Sequence, residues 1–336
     1  MQKVLCFGEL LLRISPAPET DALAKHPMLL YVGGAEANTA TALAAWGVPV
    51  KYCTALPDNF MSRHVVDYLE YKGIYTSSIV YAGNRIGVYF LEKGADIKSG
   101  VIYDRENSSF SQLKRGMIDW DKILRDVCWF NFTAISPALN ANVADVCLEA
   151  VEAASRKKIP VSIDLNYRSR LWKYGKQPIE IMPQLVEYCD VVMGNIWSAH
   201  TLIGTSIDAH IHDKKNRLAY TDHAEQTSRE IMEKFPKCKT VANTFRFDNE
   251  VNDIRYFTTL FTGGKQYISQ ELNCKGVIDR SGSGDCFMAG LIYGLYNNHA
   301  PQEMLDYATA AAFGKLQEHG DSTGQDVLTV KRMEAK

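Results

Sequence analysis

Short apolar runs of strand length alternate with amphipathic helical stretches along almost the whole chain. The first run, residues 4–7, is followed by a helical stretch of small residues at about 35–46, and Gly47 then provides a natural helix end. Further runs of the same kind lie at 50–56, 127–132, 160–164 and 189–193. Buried strands that are separated by helices pair in parallel through crossover connections. The sequence therefore predicts an α/β fold of three layers (α/β/α), with a central, mostly parallel sheet.

Two segments interrupt this alternation. Residues 13–32 contain three prolines and no helical period, and residues 85–116 alternate apolar and polar side chains around glycine turns. Such patterns are typical of antiparallel strands, so we expect both segments to form a small β-sheet lid over one edge of the main sheet. Residues 204–222 are polar and are predicted to be a surface insertion. Since no repeat or flexible linker is present, residues 1–336 are predicted to form one domain with a lid.

Charge and cysteine content exclude several classes of protein. The formal net charge is −2, so no basic field would attract nucleic acid or anionic lipid. The apolar runs are far shorter than the ~20 residues of a membrane span, and we expect neither a signal peptide nor a membrane anchor. The eight cysteines are scattered without a C-x-x-C pair, which favours reduced thiols over disulfides or a zinc site. We therefore expect a cytoplasmic protein.

The common nucleotide-binding motifs are absent. The glycines at 282 and 284 are followed three residues later by Phe287, so the G-x-G-x-x-G of a dinucleotide site is incomplete. The Gly-Lys pairs at 264–265 and 314–315 lack the hydroxyl residue of a Walker A loop. Neither G-x-S-x-G nor H-E-x-x-H occurs, which disfavours α/β-hydrolase and zinc-protease chemistry.

The strongest local signal is the sequence Asp-Arg-Ser-Gly-Ser-Gly-Asp at residues 279–285. It lies between a strand-like run at 276–278 and a helix predicted from about 283 to 296. Glycines at a strand-to-helix turn let backbone N–H groups converge, and the helix N-terminus adds partial positive charge. Gly282, Ser283 and Gly284 are thus predicted to form an anion hole. An ordinary turn remains an equal alternative from this motif alone.

Asp285 lies in the first turn of the predicted helix, beside any anion that the backbone amides bind. A carboxylate next to a bound phosphate can take a proton from an attacking hydroxyl, and phosphoryl transfer needs little else from a protein except positioning and charge neutralisation. Residues 279–285 resemble the D-T-x-G-A-G-D signature of the ribokinase-like (PfkB) carbohydrate kinases, in which the last Asp is the catalytic base. Ser283 stands where that family has alanine, and Arg280 where it usually has threonine.

A second motif resembles the same family near the N-terminus. Gly33-Gly34-Ala-Glu-Ala-Asn38-Thr-Ala is similar to the family's G-G-x-x-x-N-x-A, in which the glycines approach the sugar and Asn touches it. Paired glycines before a helix also indicate, independently, a close approach of backbone to ligand. The resemblance therefore implies that Gly34 and Asn38 bind the sugar, and it covers nearly the whole chain.

Two further stretches indicate the kind of sugar. Residues 164–172 resemble the D-x-N-x-R-x-x-L-W of the fructokinase and 2-keto-3-deoxygluconate kinase branches, with Arg168 in the motif. Tyr89, Tyr103 and Arg105 resemble the tyrosines and arginine with which the second branch holds its acid sugar. Two arginines at one pocket would favour a carboxylate. In isolation, the tyrosines would rather pack the lid and Arg105 would be exposed.

Two features of the family are missing on the nucleotide side. Many members carry N-x-x-E, tied to magnesium and phosphate, whereas this chain keeps Asn195 and has Ser198 in place of the glutamate. The family's K-x-G-x-x-G loop is also absent, and residues 241–246 take its place. Thr244 and Arg246 are the residues there that could serve the nucleotide phosphates.

Taken with these motifs, the resemblance implies an ATP-dependent sugar kinase that acts on 2-keto-3-deoxygluconate, with Asp285 as general base. It implies ATP and Mg²⁺ as cofactors, and it leaves open both the ligands of the metal and a requirement for a monovalent cation. A small β lid has open edges, so we expect a homo-oligomer that forms through the lid. The alternatives are a fructokinase or another sugar kinase of this family, and a retired kinase fold that binds sugar without catalysis.

Overall fold

A computed structural model describes residues 2–17, 27–92, 100–214, 216–248 and 253–334. Residues 18–26 and 93–99, which belong to the two predicted lid segments, lie outside the described residues. Within the described part of the chain, no helix combines the length and the apolar character that crossing a bilayer requires. All eight cysteines are free thiols, and all of them except Cys128 are buried.

A strand lies at each of the predicted apolar runs at 4–7, 50–56, 127–132, 160–164 and 189–193. In chain order the strands are β1 (Lys3–Phe7), β2 (Leu11–Pro16), β3 (Met28–Gly33), β4 (Val50–Cys53), β5 (Ala55–Leu56), β6 (Ile74–Tyr75), β7 (Val80–Tyr81), β8 (Gly87–Leu91), β9 (Val101–Asp104), β10 (Val127–Thr133), β11 (Val161–Asp164), β12 (Val191–Gly194), β13 (Thr240–Asp248), β14 (Ile254–Thr262), β15 (Lys265–Ile268) and β16 (Leu272–Cys274).

The helices lie between these strands and at the C-terminal end. They are α1 (Ala35–Ala45), α2 (Phe60–Tyr71), α3 (Trp120–Ile123), α4 (Ala141–Arg156), α5 (Pro178–Val186), α6 (Ile196–Ile203), α7 (Ile211–Lys214), α8 (Arg217–Lys234), α9 (Ser283–Tyr296), α10 (Pro301–Lys315) and α11 (Val327–Glu334), with short 3₁₀ turns at Phe110–Gln112 and Leu124–Asp126.

The central sheet confirms the predicted α/β class. Its order is β15-β14-β13-β12-β11-β10-β1-β4-β6, with β16 beside β14. The neighbouring strands β13, β12, β11, β10, β1, β4 and β6 pair in parallel. At one edge of the sheet, β14 pairs antiparallel with both β13 and β15. Side chains of β1 alternate between two apolar cores: Val4 and Cys6 pack with α1, α9 and α10, whereas Leu5 and Phe7 pack with α4, α5 and α6. The sheet therefore has helices on both faces, as the three-layer prediction requires.

A separate small sheet has the order β3-β2-β8-β9, and we refer to these four strands as the small sheet. It consists of two antiparallel hairpins, β2–β3 and β8–β9, which meet through β2 and β8. Those two strands run parallel, so the expectation of antiparallel pairing throughout was wrong at this junction. The reason is that β2 and β8, which meet at the junction, are each the first strand of their hairpin. Beyond Arg105, the second predicted segment continues without a strand, through the 3₁₀ turn at Phe110–Gln112.

Another prediction was wrong in position. The strand predicted at 276–278 lies instead at Leu272–Cys274, because Gly276 has φ +67°, which a strand does not accommodate. The polar stretch at 204–222, predicted to be a surface insertion, contains α7, and α8 starts within it at Arg217. The Asn216 side chain caps α8 by accepting from the Ala219 amide at 2.8 Å.

Candidate active site

The turn at 279–285 enters α9 with the geometry of an anion hole. Gly282 is the N-cap residue, with φ 76°, and the Cys286 amide donates to its carbonyl at 2.9 Å. The amides of residues 283–285 precede that first helical hydrogen bond, so they are free of partners within the helix and point out of its N-terminus. The Ser283 hydroxyl turns away and donates to the Ala312 carbonyl at 2.9 Å, which leaves only the backbone of Ser283 at the turn.

Asp285 lies in the first turn of α9 and is 8% exposed. Its carboxylate accepts a hydrogen bond from Asn38 Nδ2 at 2.8 Å. Burial raises the pKa of Asp285 to about 6, while the Asn38 hydrogen bond and the positive charge of Arg168 act in the opposite direction. The group is therefore mostly ionised at neutral pH, yet basic enough to accept a proton from a hydroxyl held beside it.

Asn38 and Arg168 are thus brought to the predicted base from distant parts of the chain. Asn38 belongs to α1, and Ser322 donates to its side-chain oxygen at 3.1 Å, which fixes the amide so that its nitrogen faces Asp285. Arg168 follows β11 and interacts electrostatically with both Asp285 and Asp164. Its side chain is half-buried, so the guanidinium can still meet a ligand.

Gly34 joins the same site through its backbone. It is the N-cap residue of α1 with φ 117°, and a Cβ there would lie 2.4 Å from the Glu9 carbonyl oxygen. Only glycine therefore fits where the chain passes from the small sheet into α1. The close packing puts Gly34 next to Glu9, at the end of β1.

The small sheet presents a row of polar and aromatic side chains on one face. Cross-strand pairing aligns Tyr31, Arg13, Tyr89 and Tyr103 in that order across β3, β2, β8 and β9. The Tyr89 and Tyr103 rings are 6.0 Å apart, and the Arg13 guanidinium lies over the Tyr31 ring at 5.0 Å. Tyr89 donates to Asp321, and Arg13 Nη1 donates to Asp279 at 2.7 Å. This face of the small sheet therefore contacts the turn that leads into the anion hole.

Arg105 has a protein carboxylate as its partner. Its Nε donates to Glu9 at 2.8 Å, its Nη2 donates to the same oxygen, and Ser108 donates to the other. Both Arg105 and Glu9 are almost completely buried. The charge of Arg105 is therefore balanced within the chain, whereas the sequence interpretation had given it to the substrate. Glu9 itself was missed, because nothing in the sequence around it marks it as more than an interruption of an apolar run.

Two further carboxyls near Asp285 were also missed as members of the site. Burial, and after it the charge of Asp285, raises the pKa of Asp164 to about 8. Burial likewise raises the pKa of Glu36 to about 7, against hydrogen bonds from the Thr133 amide and hydroxyl. Each ionised carboxyl disfavours ionisation of the others, so Asp285, with the lowest pKa of the three, is the one that is mostly ionised at neutral pH, while Asp164 keeps its proton. Asp164 is the last residue of β11, and this position at the carboxyl end of a parallel strand could have indicated that it belongs to the site.

The predicted nucleotide-side residues lie on neighbouring elements. Asn195 follows β12 and caps α6 by accepting from the Ser198 amide at 2.9 Å. Thr244 lies on β13, and its hydroxyl contacts the Gly194 carbonyl at 3.5 Å. Arg246 is two residues further along β13, on the same face. Residues 241–246 are thus the interior of a strand rather than a loop, so any contact to nucleotide from here is made by side chains.

The chain resembles known proteins along its full length. Residues 1–327 match the pfkB family of carbohydrate kinases. A solved structure of a 2-dehydro-3-deoxygluconokinase from Thermotoga maritima superposes with a TM-score of 0.89 at 32% identity, with 100% of each chain covered.

Two curated relatives are more distant. A 2-dehydro-3-deoxygalactonokinase from Haloferax volcanii is 25% identical over 325 residues, which cover 95% of this chain and 92% of the relative. A 5-dehydro-2-deoxygluconokinase from Geobacillus thermodenitrificans is 25% identical over 301 residues, which cover 89% and 82%. The relatives therefore share a kind of reaction while their sugars differ.

Proposed function

The chain belongs to the pfkB family of carbohydrate kinases and has the ribokinase-like fold, and we propose that it phosphorylates 2-keto-3-deoxygluconate on its 6-hydroxyl with ATP as donor. The observation that carries the proposal is the buried Asp285 carboxylate in the first turn of α9, held at 2.8 Å by Asn38 and with the charge of Arg168 beside it. Such an arrangement combines a base, an anion hole and a cation for an acidic substrate.

The mechanism follows from these positions. Asp285 accepts the proton of the 6-hydroxyl as that oxygen attacks the γ-phosphorus of ATP, and ADP leaves on the opposite side. The amides of Ser283 and Gly284, with the N-terminus of α9, stabilise the negative charge on the phosphoryl group during its transfer. Asn38 orients Asp285 through its hydrogen bond. Closure of the small sheet over the sugar, as a lid, would exclude water and prevent hydrolysis of ATP.

Mg²⁺ fits this site only as an ion that arrives with the nucleotide. Within the described ranges no cluster of three or more His, Cys, Asp or Glu side chains could hold a metal. Asn195 already caps α6, and Ser198 replaces the family's glutamate. Mg²⁺ in kinases is held largely by phosphate oxygens and water with one or two carboxylates, so a protein cage is not required. When bound, the ion neutralises phosphate charge. The polar side chains of Asn195, Thr244 and Arg246 are proposed to lie along the nucleotide.

Arg168 supports an acid sugar over a neutral one. It is half-buried and interacts with the carboxyls of both Asp164 and Asp285. Its guanidinium can therefore also pair with a carboxylate of the substrate. Since Arg105 is balanced by Glu9, its contribution is to orient Glu9 and Tyr103, whose ring lies 5.7 Å from the Arg105 guanidinium. The buried Arg105–Glu9 pair is in this way proposed to support the wall of the sugar pocket beside Gly34, and Arg168 is the arginine left to meet the acid group of the substrate.

A substrate panel tests the proposal. ADP release should be fastest with 2-keto-3-deoxygluconate among that acid, 2-keto-3-deoxygalactonate, 5-dehydro-2-deoxygluconate, fructose and ribose. Arg168→Met should raise the KM for the acid sugar about tenfold to a hundredfold, the effect of losing a charge-assisted hydrogen bond, and should spare fructose. Arg170→Met is the matched control, because Arg170 is exposed and donates to the Val101 carbonyl at 3.0 Å.

The alternatives correspond to other outcomes of this panel. Preference for fructose would keep the kinase and contradict the role given to Arg168. Preference for one of the other two acids would keep the role of Arg168 and change the sugar. No release of ADP with any sugar of the panel, combined with tight sugar binding in calorimetry, would indicate a retired kinase that binds sugar.

The outer face of the small sheet is proposed to pair with a second copy of the chain. Cross-strand pairing aligns Leu30, Ile14, Phe90 and Ile102 there, and Leu30 and Ile102 are 52% and 67% exposed. A continuous apolar row of this kind favours burial against a partner. Ile102→Lys should convert an oligomer to a monomer in analytical ultracentrifugation. Leu328→Lys, at an equally exposed residue of α11, should leave the oligomer unchanged. A wild-type monomer would refute this surface as an interface.

A further inference from the structure

Lys315, the last residue of α10, has a completely buried side chain directly behind the anion-hole turn. Its Nζ donates to the Glu318 carbonyl at 3.2 Å. A Cβ built on Gly282 would lie 3.5 Å from Lys315 Cε, so the aliphatic stem packs against the turn itself. Lysine is almost never fully buried without compensating charge, so the surroundings of this ammonium group need an explanation.

Four charged side chains lie together behind the turn. Lys315 interacts electrostatically with Asp279 and Asp321, and Arg13 Nη1 lies 2.7 Å from Asp279 Oδ2 and 3.4 Å from Asp321 Oδ2. All four residues are buried. Two cations and two anions balance each other, so the cluster is close to neutral only while Lys315 carries its charge. Without it, a net negative charge would stand next to the site where phosphate binds.

The charge of Lys315 also reaches the base. Burial lowers the pKa of Lys315, and the charges of Asp279, Glu318 and Asp321 act against that. In turn Lys315 lowers the pKa of Asp285, after the larger effects of burial, Asn38, Arg168 and Asp321. The ammonium group is therefore coupled to the reacting centre through a buried, poorly screened region of the protein.

The carboxylate oxygens of the cluster already have protein partners. Each of the four carboxylate oxygens of Asp279 and Asp321 accepts from a protein donor, and these donors are the Ser281 amide, the Gly320 amide, the Arg13 guanidinium and the Tyr89 hydroxyl. A monovalent cation that assists phosphoryl transfer from behind the anion hole would need several such oxygens. In this chain they already serve hydrogen bonds and ion pairs.

We propose that Lys315 is a positioning residue for the transferred phosphate: its ammonium supplies from within the chain the positive charge behind the anion hole that a monovalent cation would otherwise supply. The inference rests on the proposed kinase function, and it resolves a cofactor requirement that the sequence left open. Lys315 acts through the backbone of the turn at 279–282 and through Asp285, and it does not touch the substrate.

The wild-type protein gives the first test. ADP release in a buffer whose only other cations are Mg²⁺ and tetramethylammonium should match the rate with added K⁺, Na⁺ or NH₄⁺. Calorimetry should find the same affinity for the non-hydrolysable ATP analogue AMP-PNP with and without K⁺. A tenfold or larger gain in rate or affinity on adding K⁺ would overturn the inference, and it would leave the kinase function intact.

Variants give the second test. Lys315→Met keeps the length of the stem and removes the charge, and it should weaken AMP-PNP binding about tenfold to a hundredfold while adenosine binding and sugar KM stay unchanged. Lys51→Met is the matched control: Lys51 is also a buried lysine, but it pairs with Asp126 away from the turn. Equal AMP-PNP affinity in Lys315→Met and wild type would refute the role of the charge.

Rescue separates charge from packing. Lys315→Ala leaves a space beside Asp279 and Asp321, and NH₄⁺ or K⁺ should restore part of its AMP-PNP affinity, which loss of packing alone would not allow. Because affinity is measured without turnover, these tests decide the role of Lys315 even if no sugar in the panel is phosphorylated, a result that would count against the proposed substrate only. If the variants fail to fold, the wild-type cation series still decides.

Discussion

Asp285→Asn should lower kcat for the acid sugar by about 10²- to 10⁴-fold, the range associated with loss of a positioned general base. Asparagine has the same shape, and its side-chain oxygen can still accept from Asn38 Nδ2, which lies 2.8 Å from the native carboxylate. The affinity for sugar should therefore be retained in calorimetry while ADP release nearly stops. A variant that keeps more than about a tenth of the wild-type kcat would contradict the assignment of Asp285 as base.

The pH dependence of the wild-type rate provides an independent readout of the same group. Burial raises the pKa of Asp285 to about 6, so the carboxyl is protonated below that pH and ionised above it. Only the ionised form accepts a proton, and kcat should therefore fall as the pH is lowered through about 6. The residual activity of Asp285→Asn should lack this acidic limb. A wild-type rate that is flat from about pH 7.5 to about pH 5 would contradict the role of the group.

Gly282→Ala should abolish most of the activity and also destabilise the fold. The residue has φ 76°, and a Cβ there would come within 1.8 Å of the Asp321 carbonyl oxygen, a backbone atom that cannot turn aside. The turn must then shift, and the backbone N–H groups of residues 283 and 284 no longer converge on one point. Displacing one such donor typically costs about 10²- to 10³-fold in kcat, so a loss of at least this size is expected in ADP release.

Gly276→Ala is the control for this substitution. Gly276 has nearly the same backbone conformation, with φ +67°, but a Cβ there meets nothing within 4 Å. Both variants therefore carry the left-handed strain of about 1–2 kcal/mol, and only Gly282→Ala adds the collision with Asp321. Thermal unfolding should show a small loss of Tm for Gly276→Ala and a larger one for Gly282→Ala. Equal losses of Tm and of kcat would mean that strain alone explains the result.

Much of the fold was predictable because its signals are local. The helix predicted from about 283 to 296 is α9 at Ser283–Tyr296, since a glycine turn and an apolar period mark both its start and its body. The start of α8 was hidden because its buried side chains are largely small or polar, among them Thr221, His223, Thr227 and Ser228. Burial of such residues depends on what packs against them, which a single sequence does not contain.

The site was predictable to the extent that it is made of motifs. Asn38, Arg168 and Asp285 each lie in a recognisable pattern, and the structure brings the three together. Glu9 and Arg105 are 96 residues apart, and their pairing is a tertiary contact that no local pattern marks. The charge of Arg105 was therefore counted as available to a ligand, whereas Glu9 balances it. A sequence lists charged groups, and only the fold says which of them are already balanced.

The contacts of Arg13 with Asp279 and Asp321 join parts of the chain that are 266 and 308 residues apart. Because all three groups are buried, loss of any one leaves an uncompensated charge, which is far more costly than replacing the whole set. We therefore expect residues 13, 279 and 321 to change together during evolution. A neutral residue at position 13 should be tolerated only in relatives that have also lost the aspartate at 279 or at 321.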